Sequence, residues 1–240
     1  MAGSDVACEV FKFLDPDIKF VRVIKDGAKF KSGEVLFKIT GKLSAILTGE
    51  RTALNFLQHL SGIATLTNKF VEKIAGTSAK ILDTRKTTPG LRELEKHAVK
   101  CGGGENHRMG LWNMILIKDN HIKVVGGIRE VISKIIPQNA GQKSRIEIEI
   151  KDLGELKEAL QYPIDRVMLD NMGIPQIKEA VKIVKSRIPN TEHRTPKIEV
   201  SGGVNLNNVR EIAETGIDYI SVGALTHSAP AIDMSLEIAD

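Results

Sequence analysis

Residues 146–169, IEIEIKDLGELKEALQYPIDRVML, decide the fold. Two short apolar runs, Ile146-Glu-Ile-Glu-Ile150 and Arg166-Val-Met-Leu169, stand on either side of a segment with helical spacing of apolar residues. Pro163-Ile-Asp165 lies directly before the second run and fits a helix-to-strand turn. The stretch therefore predicts a strand, a helix and a second strand, which is the repeating unit of a parallel sheet.

The same unit recurs along most of the chain after Gly76. The other apolar runs are Lys80-Ile-Leu82, Met114-Ile-Leu-Ile117, Lys197-Ile-Glu-Val200 and Tyr219-Ile-Ser-Val222. Six runs with helical patterns between most of them predict an α/β fold with a six-stranded parallel sheet and helical crossovers. A closed barrel and an open, doubly wound sheet are both compatible with this periodicity.

The first part of the chain has a different pattern. Phe20-Val-Arg-Val-Ile24 and Val35-Leu-Phe-Lys-Ile39 are short apolar runs between turn signals, so the first fifty residues are predicted to form short antiparallel strands. From Glu50 to Ile74, apolar residues recur every three or four positions. This spacing predicts a long amphipathic helix, with a bend at Gly62.

The composition excludes several classes of protein. With 240 residues, 42% hydrophobic and 27% charged, the chain is expected to be globular, and disorder, collagen and coiled coil are excluded as its main organisation. The net charge of +4 is compatible with anionic substrates and too small to indicate nucleic-acid binding. We expect no membrane partner either, because no apolar stretch approaches the length of a membrane span. The two cysteines form no disulfide or zinc-binding pattern, which favours a reducing, cytoplasmic location.

Chemically unusual residues follow each apolar run, and in parallel α/β folds these strand ends meet at one face, where ligands bind. Basic residues are prominent among them. Cations gathered in one cavity require a polyanion, so we predict a site for phosphate or carboxylate groups. Solvated loop charges are the alternative interpretation. The candidate cations are Arg51, Arg85, Lys86, Arg108 and Lys118.

Two carboxylates, Glu149 and Asp170, end neighbouring strands. Oxygen ligands without a His or Cys cage suit Mg²⁺, which also takes substrate phosphates as ligands. A structural ion pair between a carboxylate and Lys118 is the alternative, and both arrangements can coexist.

Glycine-rich loops close the last two strands, at Ser201-Gly-Gly203 and Ser221-Val-Gly-Ala224. Exposed backbone N–H groups there, with a helix expected to open at Asn205, predict a phosphate-binding nest. The histidines are interpreted differently. We take His97, His107 and His121 to lack any metal-like i, i+4 partner, so no zinc site is expected, and His107 is the best candidate for a hydrogen-bonding residue of the pocket.

Several motifs together resemble the quinolinate phosphoribosyltransferase (nicotinate-nucleotide pyrophosphorylase) family. The resemblance runs from about Gly3 to the end of the chain with the motifs in order. The motifs are Glu50-Arg-Thr-Ala-Leu-Asn55, Leu60-Ser-Gly-Ile-Ala64, Asp83-Thr-Arg-Lys-Thr-Thr-Pro-Gly-Leu-Arg92, Gly104-Glu-Asn-His-Arg-Met-Gly-Leu111, Ile117-Lys-Asp-Asn-His-Ile122, Ile146-Glu-Ile-Glu149, Met168-Leu-Asp-Asn171 and Glu199-Val-Ser-Gly-Gly203.

The resemblance implies a reaction of NAD biosynthesis. Quinolinate and phosphoribosyl pyrophosphate give nicotinate mononucleotide, pyrophosphate and CO₂, with Mg²⁺ as the metal. The implied fold is an α/β sandwich domain followed by an incomplete six-stranded α/β barrel. The implied assembly is a homodimer with sites shared across its interface, alone or within a hexamer.

The resemblance also implies a role for each motif residue. Arg85, His107, Arg108 and Lys118 bind the quinolinate carboxylates and the pyrophosphate, and Lys118, Arg85, Glu149 and Asp170 are the catalytic group. Arg51 reaches the partner's site, Lys86 contacts phosphate, and Glu149 and Asp170 serve the metal and the ribose. The 5′-phosphate is held by the loops of Ser201, Gly202, Gly203 and Gly223, and Thr84 and His227 complete the substrate-binding set.

The expected domains are residues 1–64, a partial sandwich domain with the start of the long helix; residues 65–225, the barrel; and residues 226–240, a segment returning to the small domain. Family members carry a further helix and an acidic segment before the position of Gly3. We therefore expect the sandwich domain to be truncated in this chain.

Two other functions remain open at this point. A paralogous pyrophosphorylase of the same fold, of the type associated with molybdate transport, would keep the phosphate loops and change the dicarboxylate site. A non-catalytic anion-binding protein would explain the cations and glycines. It would not explain the pairing of Glu149 with Asp170.

Overall fold

The computed structural model describes residues 1–141, 144–186 and 195–239. They form two compact units. The first comprises Met1–Val71, Lys86–Asn106 and Gly223–Asp240, and the second comprises Glu72–Arg85 and His107–Val222. The domain boundaries predicted after residues 64 and 225 stay predictions.

The secondary structure alternates strands and helices through most of the chain. The helices are α1 (Ser4–Leu14), α2 (Leu43–Lys73), α3 (Arg92–Cys101), α4 (Asp119–Val125), α5 (Ile128–Asn139), α6 (Leu153–Ala159), α7 (Ile174–Ser186), α8 (Val209–Ala213) and α9 (Ala224–His227). The strands are β1 (Lys19–Arg22), β2 (Phe37–Thr40), β3 (Lys80–Leu82), β4 (Ile115–Ile117), β5 (Ile146–Ile150), β6 (Arg166–Asp170), β7 (Lys197–Ser201) and β8 (Tyr219–Ser221). Among the described residues, no helix is long and apolar enough to cross a membrane.

The first unit contains the predicted antiparallel strands, with Lys19 of β1 opposite Thr40 of β2. It also contains α1, which the strand prediction for the first fifty residues missed. The amides of Gly3 and Ser4 at the start of α1 donate to Asp26, at 3.0 and 3.2 Å. The start of α1 is therefore capped by a residue distant in sequence. Gly3, at the N-cap position, has no capping side chain from which the start of the helix could be predicted.

Helix α2 begins at Leu43, earlier than its apolar spacing predicted. A Cβ atom at Gly62 would lie 2.1 Å from the carbonyl oxygen of Pro230. Packing therefore explains the glycine at this position, because only a residue without a side chain lets the C-terminal segment approach α2 so closely.

The second unit contains the six predicted strands of the parallel sheet. Their order is β3-β8-β7-β6-β5-β4, and every recorded pairing between them is parallel. The first strand of this sheet in sequence, β3, therefore pairs with the last, β8, as in a barrel. In a doubly wound sheet, the order in which the strands are added would reverse near the middle of the sheet. Within the described residues, β3 and β4 form the two edges, so the barrel is incomplete, as the resemblance implied.

Candidate active site

One face of the six-stranded sheet is polar. In β5, Glu147 and Glu149 alternate with isoleucines, so both glutamates point to the same face. Pairing extends this face across the sheet, because Glu147 lies beside Arg166, Glu149 beside Met168, and Met168 beside Glu199. All five β5 residues are buried, whereas Arg166 and Asp170 at the two ends of β6 are half-buried.

Two of the predicted cations interact electrostatically at the strand ends. Burial lowers the pKa of the half-buried Arg108 guanidinium, and the positive charge of Arg85 lowers this pKa further. Arg108 also donates from Nη1 to the carbonyl oxygen of Met114, at 3.0 Å. The structure therefore holds two like charges in one region, which favours a negatively charged ligand there. Thr84, between Asp83 and Arg85 in the chain, is half-buried.

Lys118 forms an ion pair with Glu149, with 2.9 Å between Nζ and Oε2. The pairing of Ile117 with Ile148 explains this contact, because it places the residue after β4 beside Glu149. The Lys118 side chain is half-exposed and that of Glu149 is 10% exposed. The ion pair weighed in the sequence analysis is present, and it leaves the lysine accessible to a ligand.

The Glu149 and Asp170 side chains fit a hard cation. Glu149 pairs with Met168, two positions before Asp170 in β6, so the two carboxylates are on the same face of neighbouring strands. Oδ2 of Asp170 accepts a hydrogen bond from Nδ2 of Asn171, at 3.0 Å. Two carboxylates on one face are a donor set suited to Mg²⁺ that keeps waters and phosphate oxygens as its other ligands.

The loop after β7 has two consecutive glycines in the left-handed region of backbone conformation. Gly202 and Gly203 have φ of +90° and +62°. A Cβ at Gly202 would lie 2.2 Å from Oδ1 of Asn171, whereas one at Gly203 would meet no atom within 4 Å. Ser201 accepts a backbone hydrogen bond from Asn171, which fixes the loop against the end of β6.

The prediction that a helix begins at Asn205 was wrong, because α8 begins at Val209. Asparagine side chains hold a turn there instead. Oδ1 of Asn208 accepts from the amide of Asn205 at 2.8 Å, and both asparagines donate to the carbonyl oxygen of Gly203. Asparagine commonly forms such turns, which compete with helix formation.

His107 lies in a buried ionic network on the polar face. Its Nε2 is 3.1 Å from Oε2 of Glu147 and 3.4 Å from Oε1 of Glu199. Glu199 also accepts hydrogen bonds from Arg166, at 2.6 Å, and from Ser221. The two glutamates are completely buried. Glu199 has cationic and hydroxyl donors, whereas neither carboxylate oxygen of Glu147 accepts a well-aligned hydrogen bond from a described residue, so the nearby His107 ring compensates it.

The network changes the proton affinities of its members. Burial lowers the pKa of His107, but hydrogen bonds and charges from Glu147 and Glu199 outweigh burial and raise that pKa to about 9. Burial raises the pKa of Glu147. Burial also acts to raise the pKa of Glu199, but contacts with His107 and Arg166 lower it overall. The cluster therefore favours negative charge on Glu199 and a proton on His107.

Sequence reasoning missed Glu147, Glu199, Arg166 and Ser221 as members of the site. A signal was available, because Glu147 and Glu199 each interrupt an otherwise apolar run inside a predicted strand. Charged residues are almost never fully buried without partners, so a glutamate in a strand covered on both faces indicates a buried polar network.

Three predicted phosphate-binding residues converge in the first unit. A Cβ at Gly223 would lie 3.1 Å from Nε2 of His227 and 3.2 Å from Cδ of Lys86. Oγ1 of Thr226 donates to the carbonyl oxygen of Lys86, at 2.8 Å. Arg51 is exposed on α2 of the same unit.

The expectation that His97 lacks an i, i+4 partner was wrong. Cys101 follows it by four residues on α3, and its Sγ is 3.4 Å from Nε2 of His97.

Family comparisons agree with the sheet and its strand ends. The family model described as "Quinolinate phosphoribosyl transferase, C-terminal domain" matches residues 63–237, and the model of the N-terminal domain matches residues 1–61. The chain belongs to the quinolinate phosphoribosyltransferase family. Membership confirms the resemblance on which the fold and the reaction were predicted.

Relatives in this family cover nearly all of the chain. A probable nicotinate-nucleotide pyrophosphorylase [carboxylating] of Synechocystis is 40% identical over 99% of this chain and 79% of its own. A chloroplastic nicotinate-nucleotide pyrophosphorylase [carboxylating] of Arabidopsis thaliana is 41% identical over 99% of this chain and 70% of its own. The solved nicotinate-nucleotide pyrophosphorylase of Francisella tularensis matches with a TM-score of 0.90 and 43% identity, covering 97% of this chain and 79% of its own.

Proposed function

We propose that this chain transfers a phosphoribosyl group from phosphoribosyl pyrophosphate to quinolinate and releases CO₂. The products are nicotinate mononucleotide and pyrophosphate, and the reaction serves NAD biosynthesis. Family membership over 236 residues, counted from the ranges 1–61 and 63–237, supports this activity. The single observation that carries the substrate class is that the positive charge of Arg85 acts on the half-buried Arg108 guanidinium, which a dicarboxylate or a phosphate bound there would offset.

The quinolinate carboxylates are bound by Arg85, Arg108 and Lys118. Arginine binds a carboxylate through two parallel N–H groups, which fixes the orientation of the pyridine ring as well as its position. Lys118 can serve either substrate because its ammonium group is half-exposed while Glu149 holds it from one side. The resemblance implied that His107 binds substrate directly. Because His107 is buried and faces carboxylates and the amide of Arg108, we propose that it supports the arginine that binds the ring.

The bond changes balance without a covalent enzyme intermediate. The bond from ribose C1′ to the pyrophosphate oxygen breaks, the pyrophosphate keeps the electron pair, and the pyridine nitrogen forms the new bond to C1′. The ring is then cationic, so the bond from ring C2 to its carboxylate can break with the electron pair left on C2. CO₂ departs, and a proton from solvent completes C2. Placement and electrostatic stabilisation by the cations provide the catalysis.

Glu149 and Asp170 hold Mg²⁺ and the ribose hydroxyl groups in this proposal. Their shared face and oxygen-only chemistry support the assignment. When bound, Mg²⁺ would neutralise negative charge on the pyrophosphate. The loop of Ser201, Gly202 and Gly203 binds the 5′-phosphate through backbone N–H groups exposed by its positive φ angles.

The remaining predicted residues complete the proposal. Lys86, Gly223 and His227 also bind phosphate, which their mutual proximity in the first unit supports. Arg51 acts in the site of a partner subunit, which its exposure on α2 permits. We propose a homodimer, alone or within a hexamer, in the cytoplasm.

The activity is tested by mixing the purified chain with quinolinate and phosphoribosyl pyrophosphate, with and without Mg²⁺. We expect nicotinate mononucleotide and CO₂ in equal amounts, and only with Mg²⁺. Calorimetry with each substrate separates the alternatives. Binding of quinolinate without turnover would indicate a passive anion-binding protein, and binding of phosphoribosyl pyrophosphate alone would indicate a paralogous pyrophosphorylase.

A further inference from the structure

Three side chains with different metal-binding chemistry converge in the first unit. Nε2 of His97 lies 3.3 Å from Oδ2 of Asp26 and 3.4 Å from Sγ of Cys101. All three ligand atoms lie within 4.8 Å of one another. None of these residues belongs to the proposed substrate or Mg²⁺ sites.

The backbone explains this convergence. His97 and Cys101 are four residues apart on α3, so their side chains lie on the same face of the helix, one turn apart. Asp26 is fixed in front of them because its two carboxylate oxygens accept the amides of Gly3 and Ser4. Each carboxylate oxygen has a second lone pair, so this capping role leaves Asp26 able to bind a cation.

The distances match a tetrahedral metal centre. Zinc bonds of about 2.0 Å to nitrogen, 2.3 Å to sulfur and 2.1 Å to oxygen place tetrahedral nitrogen and sulfur ligands about 3.5 Å apart, and nitrogen and oxygen ligands about 3.3 Å apart. The observed separations of 3.4 and 3.3 Å need little adjustment. We propose that Asp26, His97 and Cys101 bind a borderline-soft divalent transition metal, with Zn²⁺ as the ion and water as a fourth ligand.

An ion can reach this site from solvent. Asp26 and His97 line an open cleft of about 630 Å³, and the His97 side chain is 54% exposed. Arg22 and Lys25 also line the cleft and oppose a cation, although Arg22 is paired with Asp5. The Met1 ammonium group interacts with Cys101 and Asp26 and opposes a cation as well. The charges of the Cys101 thiolate and Asp26 act against this opposition once the thiol proton has left.

Binding must release that proton. Burial raises the pKa of Cys101, and the negative charge of Asp26 raises it further, so the thiol is protonated in the metal-free protein. A metal ion replaces the proton, as in other thiolate sites. If His97 and Asp26 only form an ordinary hydrogen bond, the protein would show neither a thiolate-to-cobalt band nor protection of Cys101 by Zn²⁺.

The first test is a Co²⁺ titration of the full chain after treatment with a chelator. We expect one thiolate-to-cobalt charge-transfer band per chain, abolished by an equivalent of Zn²⁺. Cys101→Ser should remove the band, and His97→Gln should weaken Co²⁺ binding at least tenfold. The matched control is Cys8→Ala, which removes the chain's other cysteine and should keep the band. No band in the unmodified chain, or a band that survives Cys101→Ser, overturns the proposal.

A second test needs no variant and so does not depend on whether the substituted chains fold. Alkylation of Cys101 by iodoacetamide, followed by peptide mass spectrometry, should slow at least tenfold when Zn²⁺ is added. Mg²⁺ should not protect the thiol, because it prefers oxygen ligands. An unchanged alkylation rate with Zn²⁺ overturns the proposal, whether or not the chain turns over quinolinate.

Discussion

Nε2 of His107 lies 3.1 Å from Oε2 of Glu147, and both side chains are buried in the second unit. At the other side of the ring, Nδ1 accepts a hydrogen bond of 2.8 Å from the backbone N–H of Arg108. The backbone N–H of His107 donates to Asp83 at 2.9 Å. His107 therefore connects buried carboxylates to the segment that carries Arg108. The negative charge of Glu147 offsets only part of the effect that burial and Arg85 have on the Arg108 guanidinium.

The stability of the protein should depend on pH through His107. Its folded pKa of about 9 exceeds its ordinary value of 6.5, so its stabilising contribution is complete below pH 6.5 and is lost as the pH rises to about 9. The loss is at most about 3 kcal/mol. The Arg108 amide limits it, because an N–H pointing at Nδ1 favours the neutral ring. Urea unfolding between pH 6 and 9.5 measures this loss, and the same pH slope in His107→Gln would contradict it.

Removing the imidazole should destabilise the chain strongly. In His107→Leu, two buried glutamates lose their shared partner, and Arg166 and Ser221 are the hydrogen-bond donors to Glu199 that remain among the described residues. Breaking a buried ion pair from one side typically costs about 3–5 kcal/mol. Denaturant unfolding at pH 7 measures the cost. His97→Leu in chelator is the control, because that histidine is half-exposed and should cost under about 1 kcal/mol. Equal effects of the two variants would contradict the importance of the buried network.

The sheet was predictable from sequence because each of its strands is a short apolar run between turn signals, and their number and spacing leave few topologies. Strand order was not predictable in this way. The pairing of β3 with β8 joins residues far apart in the chain, and periodicity contains no information about such partners. Helix α1 was missed for a related reason, since its cap comes from Asp26.

The residues of the candidate site that lie at strand ends could be predicted from the sequence. Those that lie inside strands could not. Lys118, Glu149 and Asp170 stand out because polar residues follow apolar runs. Glu147 and Glu199 gave a weaker signal, because a strand with alternating glutamate is also typical of a sheet with one solvated face. Only the burial of both faces distinguishes the two cases, and burial depends on tertiary packing.

Two neighbouring glycines should respond differently to alanine. Both have positive φ, so each substitution brings backbone strain of about 1 kcal/mol. Gly202→Ala adds a clash, because its Cβ would lie 2.2 Å from Oδ1 of Asn171, whereas Gly203→Ala meets open space. We expect Gly202→Ala to cost about 1–3 kcal/mol more and to raise KM for phosphoribosyl pyrophosphate more strongly. Thermal unfolding and steady-state kinetics measure both effects, and an identical response of the pair would contradict the role of the contact.

Loss of a cation at the strand ends should reduce catalysis without unfolding the protein. Lys118→Ala and Arg85→Ala are each expected to lower kcat/KM at least 100-fold, because each removes a charge that binds substrate and stabilises departing pyrophosphate. Lys182→Ala is the control, since its side chain is 76% exposed on α7 and pairs only with Glu179 among the contacts recorded there. Initial rates at varied quinolinate concentration, with circular dichroism of each variant, test this. Near-normal activity in both site variants would refute their assignment.

The metal assignment predicts a specific change in Mg²⁺ dependence. Glu149→Gln and Asp170→Asn keep the shapes of the side chains but remove one negative charge each, so the Mg²⁺ concentration for half-maximal rate should rise at least tenfold. Glu179→Gln is the matched control, because that carboxylate is 50% exposed on α7 and pairs with Lys182 at 3.5 Å. Glu149→Gln also removes the partner of Lys118, so Asp170→Asn is the cleaner variant. A half-maximal Mg²⁺ concentration that stays constant in Asp170→Asn, at whatever maximal rate, would exclude Asp170 as a metal ligand.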